Sequence, residues 1–264
     1  MSKRVHHVTM LRCANLGITA MELTSNHSFP RHTHDEFGTG VILSGAQRSW
    51  SGRGSVESLP GDVITVNPGE LHDGHPIDGA VRRWRIIYFN PRILLRELMP
   101  DAMDAVEFAR PSLRAPAAGR GINRLFDRLR RVEDRLGVEE IVVHVVTGLA
   151  CARAARDCPK HSAPVVRARA RIEDDPSTPI ALSELAALSG LSRYQIVRAF
   201  AREMGTTPYA YVIQCRVQLA RRLLAKGATP SDAAQGAGFA DQSHMTRAFV
   251  RQFGITPGRY RAGA

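Results

Sequence analysis

Short apolar segments separated by turn residues characterise the first ninety residues of the chain. Five of them have the length and spacing of β-strands, and residues typical of turns bound each one: Gly17–Thr24, Thr39–Leu43, Gln47–Ser51, Asp62–Val66 and Arg82–Phe89. Several short strands at nearly regular spacing are typical of a β-sandwich or a β-barrel. We therefore predict a β domain over residues 1–90.

Between residues 91 and 160 the apolar spacing changes to a helical period. One predicted helix buries a single face, formed by Ile122, Leu125, Phe126 and Leu129. A second helix is predicted from Val138 to about Arg156, and its apolar stripe from Ile141 to Leu149 is too wide for one neighbour. Packing against the β domain explains this stripe, and so does packing combined with a subunit interface. The segment Cys158–Pro164, with prolines near both ends, reads as a linker.

The last hundred residues contain an internal repeat. Eleven residues from Arg198 to Pro208 recur from Arg247 to Pro257 with seven identities, and Tyr211 matches Tyr260 at the same offset of 49. A fixed offset of this kind indicates a duplicated structural unit. We predict an all-α domain over residues 165–264 that contains both copies.

Each copy has the parts of a helix-turn-helix unit. Gly190 supplies the first turn and Ser192 caps the helix after it, while Gly238 and Asp241 take these positions in the second copy. Helical spacing directs three apolar residues of each second helix inward: Ile196, Ala199 and Phe200, then Met245, Ala248 and Phe249. The stretch from Pro208 to about Lys226 is predicted to be one long connecting helix with Val212, Cys215, Leu219 and Leu223 along one face.

Charge indicates what the helical region binds. The chain has a net charge of +11, and the region from Val165 to Ala264 holds fourteen Lys/Arg against seven Asp/Glu. A surplus of this size favours a polyanionic partner, with nucleic acid first and an anionic membrane second. The composition, 44% hydrophobic and 23% charged, excludes disorder as the main state. No apolar run approaches the ~20 residues of a membrane helix, and neither a signal peptide nor a cysteine framework is evident, so a cytoplasmic location is expected.

In its last third the sequence resembles the AraC/XylS family of bacterial transcription regulators. The resemblance covers roughly Pro179–Arg261 and rests on many positions in order, among them Leu185-Ala186, Gly190-Leu191-Ser192, Phe200, Gly205, Pro208, Tyr211, Arg216, Gly238-Phe239, Asp241-Gln242-Ser243, Arg247, Phe249, Gly254, Pro257 and Tyr260. Ala233 and Met245 depart mildly from the family pattern at core positions. The resemblance implies a sequence-specific DNA-binding regulator with operator DNA and a small-molecule effector as partners, and RNA polymerase if it activates. The apolar stripe from Ile141 to Leu149 adds a homodimer as an expectation.

The resemblance also places the DNA contacts. They fall on the outward faces of the two second helices, at Arg193, Tyr194, Val197 and Arg198 in the first copy and at Gln242, Ser243, Thr246 and Arg247 in the second, with His244 at the margin. Arg198 and Arg247 are equivalent in the repeat. Arginine pairs with guanine in bidentate fashion, but both arginines could instead contact only phosphate.

The first third resembles the two cupin motifs of sensor domains in this family. The matching segments are Phe29–Phe37, Gly61-Asp62 and Asn67–His72. This implies a cupin-like antiparallel β-barrel with a ligand pocket at its mouth, and so an α+β chain with helices after the barrel and two helix-turn-helix units at the end. The residues expected to bind the ligand are His32, His34, Glu36, His72 and Trp84.

Three roles are open to the histidines: metal ligands, hydrogen-bonding pocket residues, or structural residues of turns. We expect pocket residues and no metal or other cofactor, because Glu36 comes earlier than the spacing of catalytic metallocupins. The motifs of hydrolases, nucleotide-binding proteins and zinc proteases are missing. The alternative function is a metallocupin enzyme with a basic helical appendage. The duplicated helix-turn-helix favours a ligand-responsive regulator that is not an enzyme, because an enzyme has no use for two groove-reading helices.

Overall fold

The computed structural model describes residues 5–13, 16–99, 106–130, 135–151 and 162–263. Contacts divide them into two compact units, one comprising the described residues up to Cys151 and the other running from Ser162 to Ala262. Residues 158–161 of the predicted linker lie outside the described part of the chain.

Six antiparallel strands form the larger sheet of the first unit. Their spatial order is β1 (His6–Cys13), β2 (Ile18–Ser25), β9 (Arg82–Phe89), β4 (Phe37–Ser44), β7 (Asp62–Val66) and β11 (Ser112–Arg114). Successive residues of a strand face opposite sides of its sheet. On the central strand β9, Ile87 and Phe89 therefore face the helices that cover this sheet, and Trp84 and Ile86 face the other side.

Four further strands form a second antiparallel sheet. Their spatial order is β3 (Phe29–His32), β8 (His72–Pro76), β5 (Gln47–Ser51) and β6 (Gly54–Ser58). The two sheets face each other, since the rings of Phe29 and Trp84 meet edge to face with centroids 6.1 Å apart. Among the described residues, strand pairing does not join the sheets into one closed barrel. The α+β class and the antiparallel strands are confirmed, and the expected barrel takes the form of two facing sheets.

Two helices cover the outer side of the larger sheet. After the short α1 (Pro91–Ile93) and a π-helical turn (Leu94–Leu98), α2 (Pro116–Leu129) and α3 (Arg135–Leu149) share one core with the sheet. Val142, Val145 and Val146 of α3 are at most 1% exposed. A Cβ at position 121 of α2 would lie 2.5 Å from the Cγ2 of Val145, so glycine permits this close approach. The wide stripe on α3 is therefore taken up largely by packing within the chain.

The end of α3 differs from its prediction. The helix was expected to reach about Arg156 but ends at Leu149. The next two residues form β12 (Ala150–Cys151), which pairs with β10 (Glu107–Phe108). Residues 152–156 lie outside the described part of the chain. Helical periodicity could not reveal this end because the partner strand is about forty residues away in the sequence.

Seven helices make up the second unit. They are α4 (Ala163–Asp174), α5 (Leu182–Ser189), α6 (Arg193–Met204), α7 (Pro208–Ala225), α8 (Pro230–Gly236), α9 (Gln242–Phe253) and α10 (Pro257–Ala262). The predicted connecting helix is α7. On its predicted apolar face Val212 is buried, whereas Cys215, Leu219 and Leu223 are only partly buried. The helix packs on both sides, since it contacts α4 and α6 as well as α8, α9 and α10.

The two repeat copies have matching geometry. Helices α6 and α9 begin and end 49 residues apart. Phe200 packs edge-on against Tyr211 with ring centroids 5.5 Å apart, and Phe249 packs against Tyr260 at the same 5.5 Å. The turn before α6 contains Gly190 at φ 67°, in the left-handed region that favours glycine. The predicted pair of helix-turn-helix units is therefore confirmed.

Candidate functional site

Helix α6 exposes most of the residues predicted to contact DNA. A capping box starts the helix: the Ser192 hydroxyl accepts a hydrogen bond from the Gln195 amide, and the Gln195 side chain accepts one from the Ser192 amide at 2.9 Å. Of the predicted contacts, Val197 is half-buried and three are exposed, namely Arg193, Tyr194 and Arg198. Burial of Ile196 and Phe200 on the other side fixes this outward face.

Two of the exposed residues interact with each other. Arg198 Nη1 donates a hydrogen bond to the Tyr194 hydroxyl at 2.9 Å, and its guanidinium carbon lies 5.5 Å from the centre of the Tyr194 ring. Tyr194 itself is 68% exposed, although large apolar surfaces are usually covered. The pair presents a cation and an aromatic ring together on the outer face of α6.

Helix α9 repeats this arrangement with different side chains. The Asp241 carboxylate accepts a hydrogen bond from the His244 amide at 2.7 Å and so caps the helix. Gln242, Ser243 and Arg247 are exposed, and Thr246 is half-buried. The His244 ring packs edge-on against Phe239 with centroids 5.2 Å apart, which places it at the margin of the surface.

A row of buried polar residues on α7 was not predicted from the sequence. Gln214, Gln218 and Arg221 are between 3% and 8% exposed, and the Arg221 guanidinium lies 5.9 Å from the Phe253 ring of α9. Their spacing of four and three residues places them on one face of the helix. This pattern can be recognised in the sequence only if polar residues, and not just apolar ones, are allowed at buried positions. This row helps to fix α7 against the second helix-turn-helix unit.

Three predicted ligand residues of the first unit converge. His32 ends β3 and pairs across the sheet with His72, which begins β8, while His34 follows in the turn after β3. The centroids of their rings are 4.4 to 5.0 Å apart. One ring nitrogen from each lies within 4.8 Å of the other two. These three residues are called the histidine cluster below.

Backbone carbonyls fix the tautomers of two members of the cluster. Nδ1 of His32 donates to the Pro30 carbonyl at 2.6 Å, and Nδ1 of His72 donates to the Glu70 carbonyl at 2.9 Å. Burial, together with the neighbouring His72, lowers the pKa of His32 to about 3 against the opposing effect of the Pro30 hydrogen bond. Burial also lowers the pKa of His72. In the neutral rings Nε2 carries a lone pair, so the cluster attracts hydrogen-bond donors or a cation.

This burial predicts that the protein loses stability in mild acid. Because the pKa of His32 is lowered on folding, the unfolded chain binds a proton first as the pH falls below about 6.5. The free energy of unfolding should then decrease by up to about 1.4 kcal/mol per pH unit from His32 alone, between pH 6 and pH 4. Urea unfolding at several pH values measures this slope.

A His32→Gln variant should show a shallower slope because glutamine does not titrate. The matched control is His75→Gln, which removes a histidine outside the cluster whose side chain is 45% exposed. Equal slopes in the wild type and His32→Gln would contradict the prediction.

The other two predicted ligand residues lie apart from the cluster's ring nitrogens. Glu36 is buried but does not belong to the group of side chains that could share one cation. Trp84 lies two positions along β9 from Arg82, beside Phe29. The residue of β9 nearest the cluster is Tyr88, whose hydroxyl lies 3.5 Å from Nε2 of His34.

The histidine cluster could hold a divalent metal ion. Three imidazoles, two of them oriented by hydrogen bonds to backbone carbonyls, form a ligand set used for zinc and other transition metals. A carboxylate, which the expected metallocupin set would add, is missing from this group among the described residues. That the cluster contains no resident metal stays a prediction, and elemental analysis of the purified protein tests it.

Arg82, which is fully buried between the two sheets, was also not predicted as a site residue. It precedes Trp84 and Ile86 on the inward face of β9, at a position where an apolar residue is the rule. The alternation of inward and outward positions along β9 places residue 82 on the inward face. A charged residue at such a position is the sequence signal that could have identified Arg82 as a candidate binding residue.

Two family descriptions match the chain. Residues 15–146 match the AraC-like ligand binding domain, and residues 185–263 match a helix-turn-helix domain. Among the described residues, none of the helices is both long and apolar enough to span a membrane.

Known proteins are similar to this chain in sequence or in fold. The HTH-type transcriptional regulator YbfI of Bacillus subtilis is 29% identical over 223 residues, which is 82% of this chain and 81% of YbfI. The transcriptional activator NphR of Rhodococcus is 42% identical over 83 residues, covering 31% of this chain and 24% of NphR. The crystal structure of ToxT from Vibrio cholerae superposes with a TM-score of 0.58 and 11% identity, covering 98% of this chain and 97% of ToxT. The likeness to ToxT concerns the fold.

Proposed function

Since this chain belongs to the AraC family of transcriptional regulators, we propose that α6 and α9 read the base edges of its operator in successive major-groove segments. The protein is a ligand-responsive, DNA-binding regulator of transcription. The observation that carries the proposal is the pair of exposed arginines, Arg198 and Arg247, at equivalent positions of the duplicated helices. Recognition helices held by one unit can enter grooves one helical turn apart, ~34 Å.

Base reading by Arg198 can be tested on the full chain with an operator selected from a randomised pool. We expect Arg198→Ala to cost about 1–3 kcal/mol, or roughly 5- to 150-fold in affinity, and to relax the preference at one base pair. The reason is that a bidentate contact to guanine cannot be replaced by water at the same geometry. Fluorescence anisotropy gives the affinity, and a repeated selection gives the preference.

Two further variants separate base reading from phosphate contact. Gln242→Ala removes a neutral amide, so any loss of specificity cannot come from counterion release. Arg202→Ala removes an exposed charge near the end of α6, where it pairs with Glu203, and should weaken all sequences slightly and alike. If Arg198→Ala and Gln242→Ala both leave the selected sequence unchanged, the two residues do not read bases.

The effector is proposed to bind between the two sheets. The support is that His32, His34 and His72 form a polar cluster there in which His32 and His34 are buried, and that Trp84 and Glu36 are also buried in this unit. A ligand can change transcription only by favouring one arrangement of the chain over another. Accordingly, His34→Ala should reduce the response to the effector while operator binding is retained.

A homodimer is also proposed, with its interface on the exposed side of α3. Most of the apolar stripe on this helix packs inside the chain. The part of the helix that remains for a dimer interface is its exposed residues, such as Leu136, which is 77% exposed. Sedimentation at micromolar concentration should give about twice the chain mass. A species that remains monomeric even on operator DNA would refute the dimer.

Three further expectations stay predictions: contact with RNA polymerase, a cytoplasmic location and the lack of enzymatic activity.

A further inference from the structure

We propose that Arg82 is the anchor for a carboxylate group of the effector, with the rings of Trp84 and Phe29 as walls for its apolar part. This inference deepens the proposed effector site and rests on it. It names the chemical class of the ligand, a small monocarboxylate with an apolar body.

The Arg82 guanidinium is only partly satisfied by the protein. Its side chain is 0% exposed, and Nη2 donates to the carbonyls of His27 and Gly74, each at 3.2 Å. Within the described part of the chain, Nε and Nη1 find no acceptor. A buried donor without a partner is costly, and such groups are rare in native proteins.

The charge of Arg82 is also unbalanced. Burial lowers the pKa of its guanidinium to about 10, so the group remains a cation at neutral pH. No carboxylate of the described residues forms an ion pair with it, whereas Arg83, its neighbour in the sequence, pairs with Glu22 on the outer face. A buried charge normally requires a paired opposite charge. A carboxylate supplies that charge and accepts from a guanidinium with two oxygens.

Aromatic rings indicate the rest of the ligand. The guanidinium carbon lies 4.7 Å from the centre of the Trp84 ring and 5.9 Å from that of Phe29. The rings also contact each other, and His27 packs edge-on against Phe29 with centroids 4.8 Å apart. Such walls favour an organic acid over a hydrated inorganic anion.

Arg82 and the histidine cluster lie on facing strands of the two sheets. Arg82, Trp84, Ile86 and Tyr88 lie on the same face of β9, and Tyr88 contacts the cluster. Six residues of a strand span roughly 20 Å, but the long Arg82 side chain crosses to β8, where Nη2 donates to the carbonyl of Gly74, two residues from His72. An effector held by Arg82 therefore belongs to the same proposed site as the histidine cluster.

The experiment uses the full chain and pairs of probes that differ only in charge. Benzoate and hexanoate are compared with benzamide and hexanamide, with inorganic phosphate as the alternative anion. The protein has two tryptophans, so a Trp50→Phe background leaves Trp84 as the single fluorescent reporter. We expect at least one carboxylate to raise the melting temperature with increasing concentration and to change the Trp84 emission, while its amide and phosphate do neither.

Arg82→Met should weaken carboxylate binding at least tenfold. This variant should still fold, since methionine has a similar length and removes a buried charge, which is costly when it is unpaired. Arg82→Lys, which keeps the charge but lacks the planar guanidinium, should bind with intermediate affinity. Arg83→Met is the matched control because its side chain is 48% exposed, and it should bind like the wild type.

Three results would overturn the proposal: no charge-dependent effect with either carboxylate, equal binding by Arg82→Met and the wild type, or a response to phosphate alone. Operator binding is measured on the same preparations. If the wild type does not bind the operator, the proposed function is wrong. If the wild type binds the operator but shows no carboxylate effect, only the Arg82 site is wrong.

Discussion

Raising the salt concentration from 50 to 200 mM is expected to weaken operator binding by about three orders of magnitude or more. A protein that neutralises six to ten phosphates loses roughly 10³–10⁵ in affinity over this range, because each contact releases condensed counterions. The region from Val165 to Ala264 holds fourteen Lys/Arg against seven Asp/Glu, and Arg193, Arg198 and Arg247 are exposed on α6 and α9. Anisotropy titrations at four or five salt concentrations give the slope.

A variant without a charge change provides the control. Gln242→Ala should keep the slope of the wild type even where it lowers the affinity, since the amide of glutamine releases no counterion. The Arg202→Ala variant should reduce the slope by about one or less. An affinity that is nearly independent of salt would show that the basic helical unit does not bind the phosphate backbone.

Phe200→Ala is expected to destabilise the second unit by about 3–5 kcal/mol. Its ring is 0% exposed and packs against Tyr211, in a core that includes Ile172 of α4 and Leu185 of α5. Removing the ring leaves a cavity where four helices meet, and small domains are stable by only about 5–15 kcal/mol in total. Urea unfolding followed by circular dichroism measures the change.

The repeat supplies an internal comparison. Phe249→Ala removes the equivalent ring, also 0% exposed, and should have an effect of similar size. Leu188→Ala is the control because this residue is 46% exposed on α5, and exposed substitutions usually change stability by less than about 0.5 kcal/mol. A loss below 1 kcal/mol for Phe200→Ala would contradict the burial described for the core of the first helix-turn-helix unit.

Local signals were sufficient for the helical half of the chain. Helix caps, turn glycines and apolar spacing depend on residues only a few positions apart, so Ser192, Gly190 and Phe200 could be assigned from the sequence. The repeat strengthened these assignments, because each copy predicted the other. The inward faces of α6 and α9 determine their outward faces, which is why the candidate DNA contacts were found at exposed or half-buried positions.

Local signals of this kind do not reveal which strands pair when the strands are far apart in the sequence. The strands β10, β11 and β12 consist of two or three residues each and exist only because a distant strand pairs with them. For the same reason the end of α3 was predicted too late. The division of the strands into two sheets depends equally on partners, since alternation reveals that a residue is buried but not which strand lies beside it.

The sequence by itself determined the fold class, the duplicated helix-turn-helix units and which histidines belong to the sensor unit, because periodicity, caps and motif spacing are local properties of the chain. Only the tertiary structure decided which side chains meet. It brought His32, His34 and His72 together, separated Trp84 from them, and placed Arg82 between the sheets beside two aromatic rings. Such encounters depend on strand register and on the facing of two sheets, which join residues tens of positions apart and leave no mark in local spacing.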